Sequence, residues 1–526
     1  MKTVCLFLLL SLGAAIAVTQ SDLVTSDSKG KLSYKKNDQG DRIMDYSSVG
    51  YRSGQDLPAP SVIPNKITVK PSGGDDTKSI QDAITKVSAL PLDNNGFRGA
   101  VLLAPGTFNV DELKLSTSGV ILRGSGLDAT KGTTIKVKGS STSVSVYGSK
   151  SPKFGKKYPL TKTYVPFGGN TLPLKSTSGL KVGDSIYIFT TVTAKFVHLL
   201  GMDKLVRHNA PQTWVAVGSI ITTDRIITSI NNGTITLDAG YPDSIRPELF
   251  DSDEDVPYVS TYVWEDRIEN VGVENLRAIH PATKATNTDQ FLTIGKAQNC
   301  WVRDLYLQDF GTGGERLAGC NSSNKTVVTT QGDAKWVTVQ RLNIHYTYTD
   351  DTIAAPPQIL SMLGTQILHR DTNITGGGKY WPMSSGSTRA RGPTVHYNVN
   401  IVSGSGAKVV PHMRWSTGIL YDNIVNPKGV VGITYRDTMG SGHGWTMGWG
   451  VIWNCEAAIL SVQNPSNMFN GSAPVLYHNW LVGGRGKNDP GYKSKSLMGT
   501  YDHVGTTVAP QSLYVAQLKD KLKRSN

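Results

Sequence analysis

Between His369 and Asn479 the chain concentrates residue types that act on sugars. It reads GGGKYWPM, RARGPTVHYNVN, VVPHMRWSTGILYDN, GITYRDTMGSGHGWTMGWGVIWNCEA and LVGGRGKND. Aromatic faces stack on pyranose rings, while Arg and His hydrogen-bond hydroxyls or carboxylates. On that pattern Lys379, Tyr380, Arg391, Trp415, Arg436, Trp445 and Trp449 are the candidate substrate-binding residues. A β-elimination at a uronate needs a base for the C5 proton, a cation for the enolate and an acid for the leaving oxygen. His412 with Arg414, and His443 on its Gly-flanked loop, have the types for those roles and are the candidate catalytic residues. Lys379, Arg391 or Arg436 would then neutralise the carboxylate. The competing reading makes His412 an ordered turn residue and His443 a tight-turn residue.

Such residues need a scaffold, and the stretch Gly73 to Gly126 shows its construction. Gly73 and Gly74 break the chain, Asp75, Asp76 and Thr77 offer N-cap oxygens, and Ile80, Ala83, Ile84 and Val87 fall on one helical face. Short strands follow at Ala100 to Ala104, Thr107 to Val110, Lys114 to Leu115 and Val120 to Arg123, separated by Gly, Pro, Asp or Ser. Strands so short are buried only by stacking on copies of themselves.

This opening resembles the cap and first coils of the right-handed parallel β-helix proteins of the pectate lyase superfamily. In that superfamily the DT-containing helix plugs the open end of the solenoid. Pro411 to Gly418, Gly440 to Trp445 and Val451 to Asn454 resemble the P-H-x-R-W-x-T-G, G-S-G-H-G-W and V-x-W-N blocks of secreted β-helix proteins with a pectate-lyase-type N-terminal domain. The resemblance implies an all-β right-handed parallel β-helix and a carbohydrate-active function, with a polysaccharide lyase on an acidic glycan as the expected activity. Many members carry a G-R-H-D-F block where this chain has Gly378, Lys379, Tyr380, Trp381 and Pro382, without the His and Asp. That departure keeps a second class of function open, a catalytically silent secreted glycoprotein that binds acidic polysaccharide or extracellular matrix. Hydrolysis ranks behind elimination, because Asp350 and Asp351 are the only tandem Asp pair in this half and neighbours on a strand point to opposite faces.

The expected organisation is a signal peptide at 1–17, an N-terminal extension at 18–64 and a cap with first coils at 65–146. An antiparallel insertion follows at 147–257, then the main β-helix at 258–510 and a C-terminal helix or tail at 511–526. Lys153 to Lys157 reads as a loop, and Tyr46 and Tyr51 as packing residues. Residues Met1 to Ala17 carry one Lys, an apolar run and an A-x-A position, so the mature chain is expected to be secreted and extracellular. Asn232, Asn321, Asn324, Asn373 and Asn470 begin N-x-S/T and are candidate glycosylation sites. Past the leader no apolar run approaches a membrane span.

Removal of the leader takes Cys5 and leaves Cys300, Cys320 and Cys455, for which one disulfide, with Cys300 to Cys320 the nearest pair, or buried thiols are the alternatives. The net charge of +13 suits an acidic polysaccharide or matrix component, and no nucleic-acid-binding motif is present. No cofactor is expected. Calcium on Asp residues is possible but has no compact loop signature.

Overall fold

Alternating apolar residues on short strands bury only one face each, and here they do so by stacking in register. The computed structural model describes residues 19–138, 142–280, 290–311, 326–347, 357–403, 406–467, 469, 475–489 and 498–525. One inward ladder runs Leu122, Val273, Val302, Val339, His369, His396, Tyr421, Ile452, Leu481 and Tyr501, each paired in parallel with the next. A second parallel sheet stacks Leu113–Leu115, Val144–Tyr147, Leu292–Gly295, Thr326–Thr330, Gln358–Met362 and Trp381–Met383. These sheets enclose one continuous apolar core, so the chain is an all-β right-handed parallel β-helix. Each fully buried Val, Leu or Ile contributes about 1.5–3 kcal/mol, which is how many three- to five-residue strands stay folded.

The helix Thr77–Ser88 buries Ile80, Ala83, Ile84 and Val87 against the first coils. Asp75 Oδ1 accepts from the Thr77 amide at 2.9 Å, an Asx turn leading into the helix. Asp76 does something else: its carboxylate accepts from the amides of Ser72 and Asn109, tying the helix start to the neighbouring strand.

The antiparallel insertion forms a six-stranded sheet in the order Lys153–Pro159, Tyr258–Val263, Ser185–Thr191, Ile220–Asn231, Thr234–Leu237 and Thr171–Pro173, so it runs past the expected boundary at 257 to Val263. Lys153 to Lys157 is therefore an edge strand and not a loop; its Lys side chains point outward, which discourages edge-to-edge pairing. Asn232 and Gly233 supply the two left-handed residues of the hairpin turn before Thr234–Leu237.

Buried polar groups fix this sheet to the solenoid. Asp224 accepts from Arg267 at 2.6 Å and Lys335 at 3.0 Å, and the Tyr262 hydroxyl donates to it at 3.1 Å. Arg225, fully buried, donates to the Gly240 and Gly392 carbonyls and to the Thr365 hydroxyl, all at 2.7 Å.

The extension runs along the outside, with Tyr46 and Tyr51 buried as packing residues. Its strand Thr19–Gln20 pairs with Val508–Ala509. The C-terminal helix Leu513–Ser525 lies beside it, and Gln517 bonds the Tyr46 amide and the Met44 carbonyl. Cys300 and Cys455 are buried thiols. Cys320, the Asp350 and Asp351 pair and residues 1–18 lie outside the described residues. Among the described residues no helix is long and apolar enough to cross a membrane.

Candidate functional site

At one corner of the solenoid each coil turns from the shorter sheet into the long one. Gly364 pairs with Ala390, Arg391 with Thr417 and Ser416 with Met447, so the residues just before these positions repeat one strand spacing apart, about 4.8 Å. Arg389, Arg414 and His443 occupy successive corners. Backbone bonds from Ser387 N to Met413 O and from Arg414 N to His443 O tie them together.

Arg414 and Trp415 both have left-handed backbone, with φ of 55° and 64°, a conformation that costs non-Gly residues of order 1–3 kcal/mol each. The two residues are thereby sent to opposite sides. Arg414 reaches out to the Ser441 carbonyl at 2.8 Å and hydroxyl at 2.6 Å, while Trp415 is buried.

His412 and His443 meet edge to face with ring centroids 5.0 Å apart. Trp381 lies 6.2 Å from His412, and the Arg436 guanidinium sits 5.1 Å over the Trp381 ring while bonding the His412 carbonyl. From the insertion, Arg207 donates to the Gly440 and Thr438 carbonyls and borders the same cluster. Among the described residues, no carboxylate pairs with Arg207, Arg414 or Arg436.

Burial, helped by Arg436 and Arg414, lowers the His412 pKa to about 4. Burial, then Arg436, His412, Arg414 and Arg207, takes His443 to about 3. Burial also lowers Arg436, to about 10. At neutral pH the cluster therefore holds two uncharged imidazoles among cationic guanidiniums. Such a site attracts an anion, and the negative charge of one bound there would raise both imidazole pKa values back toward the range of a working base. His443 Nδ1 is buried and has no hydrogen-bond partner among the described residues.

His412, Arg414, His443 and Arg436 are thus brought together. Lys379 is exposed two residues before Trp381. Five expected sugar contacts are elsewhere, because the insertion or the core covers them. Asp243 of the insertion accepts from Trp415 Nε1 and Trp449 Nε1, each at 3.0 Å, and pairs with Arg391 at 3.4 Å. These three residues dock the insertion, and Trp415 also lines a cavity of about 60 Å³ with Phe196 and Tyr477. Trp445 is buried with its Nε1 on the Ser466 carbonyl, and Tyr380 is a core residue 5.4 Å from Tyr346. Residue-type reasoning missed Trp381, Ser441 and Arg207; Arg207 is distant in sequence and only the docking of the insertion brings it in.

Asn232 is exposed at its hairpin turn and Asn373 is exposed on the strand Ile367–Gly376, whereas Asn321, Asn324 and Asn470 lie outside the described residues. Asp22, Asp502 and His503 offer three ligand atoms within 4.8 Å of one another. Asp502 already accepts from the Ser21 hydroxyl and the Asp22 amide, a fastening role for the N-terminal segment.

No protein-family model and no curated protein sequence matches the chain. Solved structures of similar shape include the Gp54 tailspike of Acinetobacter baumannii bacteriophage AP22, described in complex with capsular saccharide, at 9% identity, 86% of this chain, 73% of that chain and a TM-score of 0.38. A polygalacturonase from Erwinia carotovora ssp. carotovora aligns at 12% identity, 86% of this chain, 99% of that chain and a TM-score of 0.37. The gp49 tailspike from Pseudomonas phage LKA1 gives 10% identity over 74% of this chain, which spans 65% of that tailspike, with a TM-score of 0.29.

Proposed function

We propose that the protein binds an acidic polysaccharide at the Arg414, Arg436 and Arg207 cluster, with His412 and His443 placed to move protons in a β-elimination. The observation that carries this reading is the cluster of guanidiniums that no described carboxylate neutralises, set against two neutral imidazoles and the Trp381 ring. A uronate carboxylate completes the charge balance and the guanidiniums stabilise the enolate; one imidazole takes the C5 proton, and as the C4–C5 double bond forms the C4–O bond breaks, its oxygen taking a proton from the N–H of the other imidazole. Secretion past the leader, with N-linked glycans, would put the protein where such polymers occur.

A catalytically silent binder is the second reading. It is favoured by His443 Nδ1, because a general base is ordinarily oriented through its second nitrogen and this one has no acceptor among the described residues. Incubation with a panel of uronate and sulfated glycans separates the two. Unsaturated-product absorbance that disappears in His443→Ala supports elimination. Retention of glycan without unsaturated products or new reducing ends selects the binder. In either case Arg414→Ala should weaken retention by about 1.5–3 kcal/mol, the size of a hydrogen bond to a charged group. Absence of both retention and turnover would reject the proposal.

A further inference from the structure

One coil from Arg414, the solenoid and the insertion leave a cleft of about 290 Å³. Tyr147, Tyr187, Thr222, Gln331, Asp333 and Arg389 line it. Tyr147 is 37% exposed, its ring lying so close to Gly295 that a Cβ there would overlap it. Arg389 is exposed, and no ion pair joins it among the described residues. Asp333 spends one oxygen on the Lys296 amide, at 2.8 Å. An aromatic face beside a guanidinium, a carboxylate, an amide and a hydroxyl is the chemistry that holds a sugar ring.

The cleft lies on the same row of corners as the site already described. Arg389 occupies the corner next to that of Arg414, and His443 the one beyond, about 10 Å along the axis at ~4.8 Å per coil. The insertion walls the same row. Thr222 and Tyr187 stand at the cleft, while Arg207 bonds Gly440 and Gln212 packs at Gly442.

We infer that this cleft is a second saccharide subsite, so that the ligand is an extended uronate-containing oligosaccharide lying along the solenoid axis against the insertion. The inference rests on the acidic-glycan reading above and adds the ligand's length and direction. Arg389 meets a carboxylate or hydroxyl pair, Tyr147 stacks on the ring, and Asp333 and Gln331 take hydroxyls.

Titration calorimetry with oligogalacturonate, alginate and chondroitin sulfate fragments, each from disaccharide to octasaccharide, tests it in wild type and in Tyr147→Ala, Arg389→Ala and Arg414→Ala. Wild-type affinity should rise with length. Arg389→Ala and Tyr147→Ala should each lose about tenfold on the octasaccharide and nothing on the disaccharide, while Arg414→Ala loses affinity at every length. An octasaccharide affinity unchanged in both cleft variants, or an equal loss on the disaccharide, overturns the subsite and leaves the acidic-glycan reading standing. A wild type that binds none of the probes overturns both.

Discussion

Replacing Asp224 by Asn tests how the insertion is held. Asp224 is buried, with Arg267 Nη1 at 2.6 Å, Lys335 Nζ at 3.0 Å and the Tyr262 hydroxyl at 3.1 Å. Burial alone would push its pKa up, but Lys335 and Arg267 more than offset that, so the carboxyl lies below the usual range. The substitution leaves two buried cations without their carboxylate; Asp238 reaches Lys335 only at 4.0 Å. Removing one partner of a buried pair costs about 3–5 kcal/mol. At about 1.4 kcal/mol per factor of ten, that becomes a roughly 10²- to 10⁴-fold loss of amide protection. Hydrogen exchange should show it in Ser185–Thr191 and Ile220–Asn231, with the cap helix Thr77–Ser88 unaffected. The combined change of Asp224→Leu, Arg267→Met and Lys335→Met should restore most of the protection, since a packed apolar cluster avoids the desolvation of three charges. Protection within threefold of wild type in Asp224→Asn would refute the reasoning. Because the carboxyl is depressed, its stabilisation is present above pH ~4 and is lost as pH falls through the lower folded value.

Asp422 has the opposite sign: burial raises its pKa to about 7 while it accepts from the Ser512 hydroxyl, the Tyr514 amide and Asn423. Its contribution to docking the helix Leu513–Ser525 is full below pH ~4 and declines as pH rises through about 7, by up to roughly 4 kcal/mol, and Asp422→Asn should flatten that profile in hydrogen exchange. Gly440 has φ of +60° and a Cβ there would overlap the His443 ring, so Gly440→Ala should lower glycan affinity or turnover as His443→Ala does, with unchanged circular dichroism. If the chain is secreted, terminal sequencing should find the mature start near Val18, and deglycosylation should remove mass at exposed Asn232 and Asn373.

The coil-forming part of the fold was legible because its signal is local. Ile80, Ala83, Ile84 and Val87 mark a helix by spacing alone, and Val120 to Arg123 marks a strand by composition and flanking Gly. The cluster was half legible: the PHMR and GSGHG blocks place His412, Arg414 and His443 about one coil apart, and stacking brings such loops together. The tryptophans misled because an aromatic ring serves a sugar and a core equally well. Asp243 decides between these at Trp415 and Trp449, and nothing near either Trp in sequence announces an acceptor some 170 to 200 residues away. Lys153 to Lys157 misled for a related reason, since an edge strand need not have an apolar face.

The pairing of Thr19–Gln20 with Val508–Ala509 bears on the order of assembly. A stack of coils can begin anywhere and grow by neighbours, and its ends ordinarily fray first. Here the terminal coil is completed by the beginning of the chain: Ser21 bonds Asp502 across 481 positions, and Gln517 holds the Tyr46 amide across 471. Contacts of such separation form after local ones, because closing the loop costs entropy that only accumulated structure repays. The clasp is therefore a late event, available only once Asp502 and Gln517 have been synthesised. After it closes, loosening either segment exposes the other, so residues 19–46 and 502–517 resist proteases as one unit.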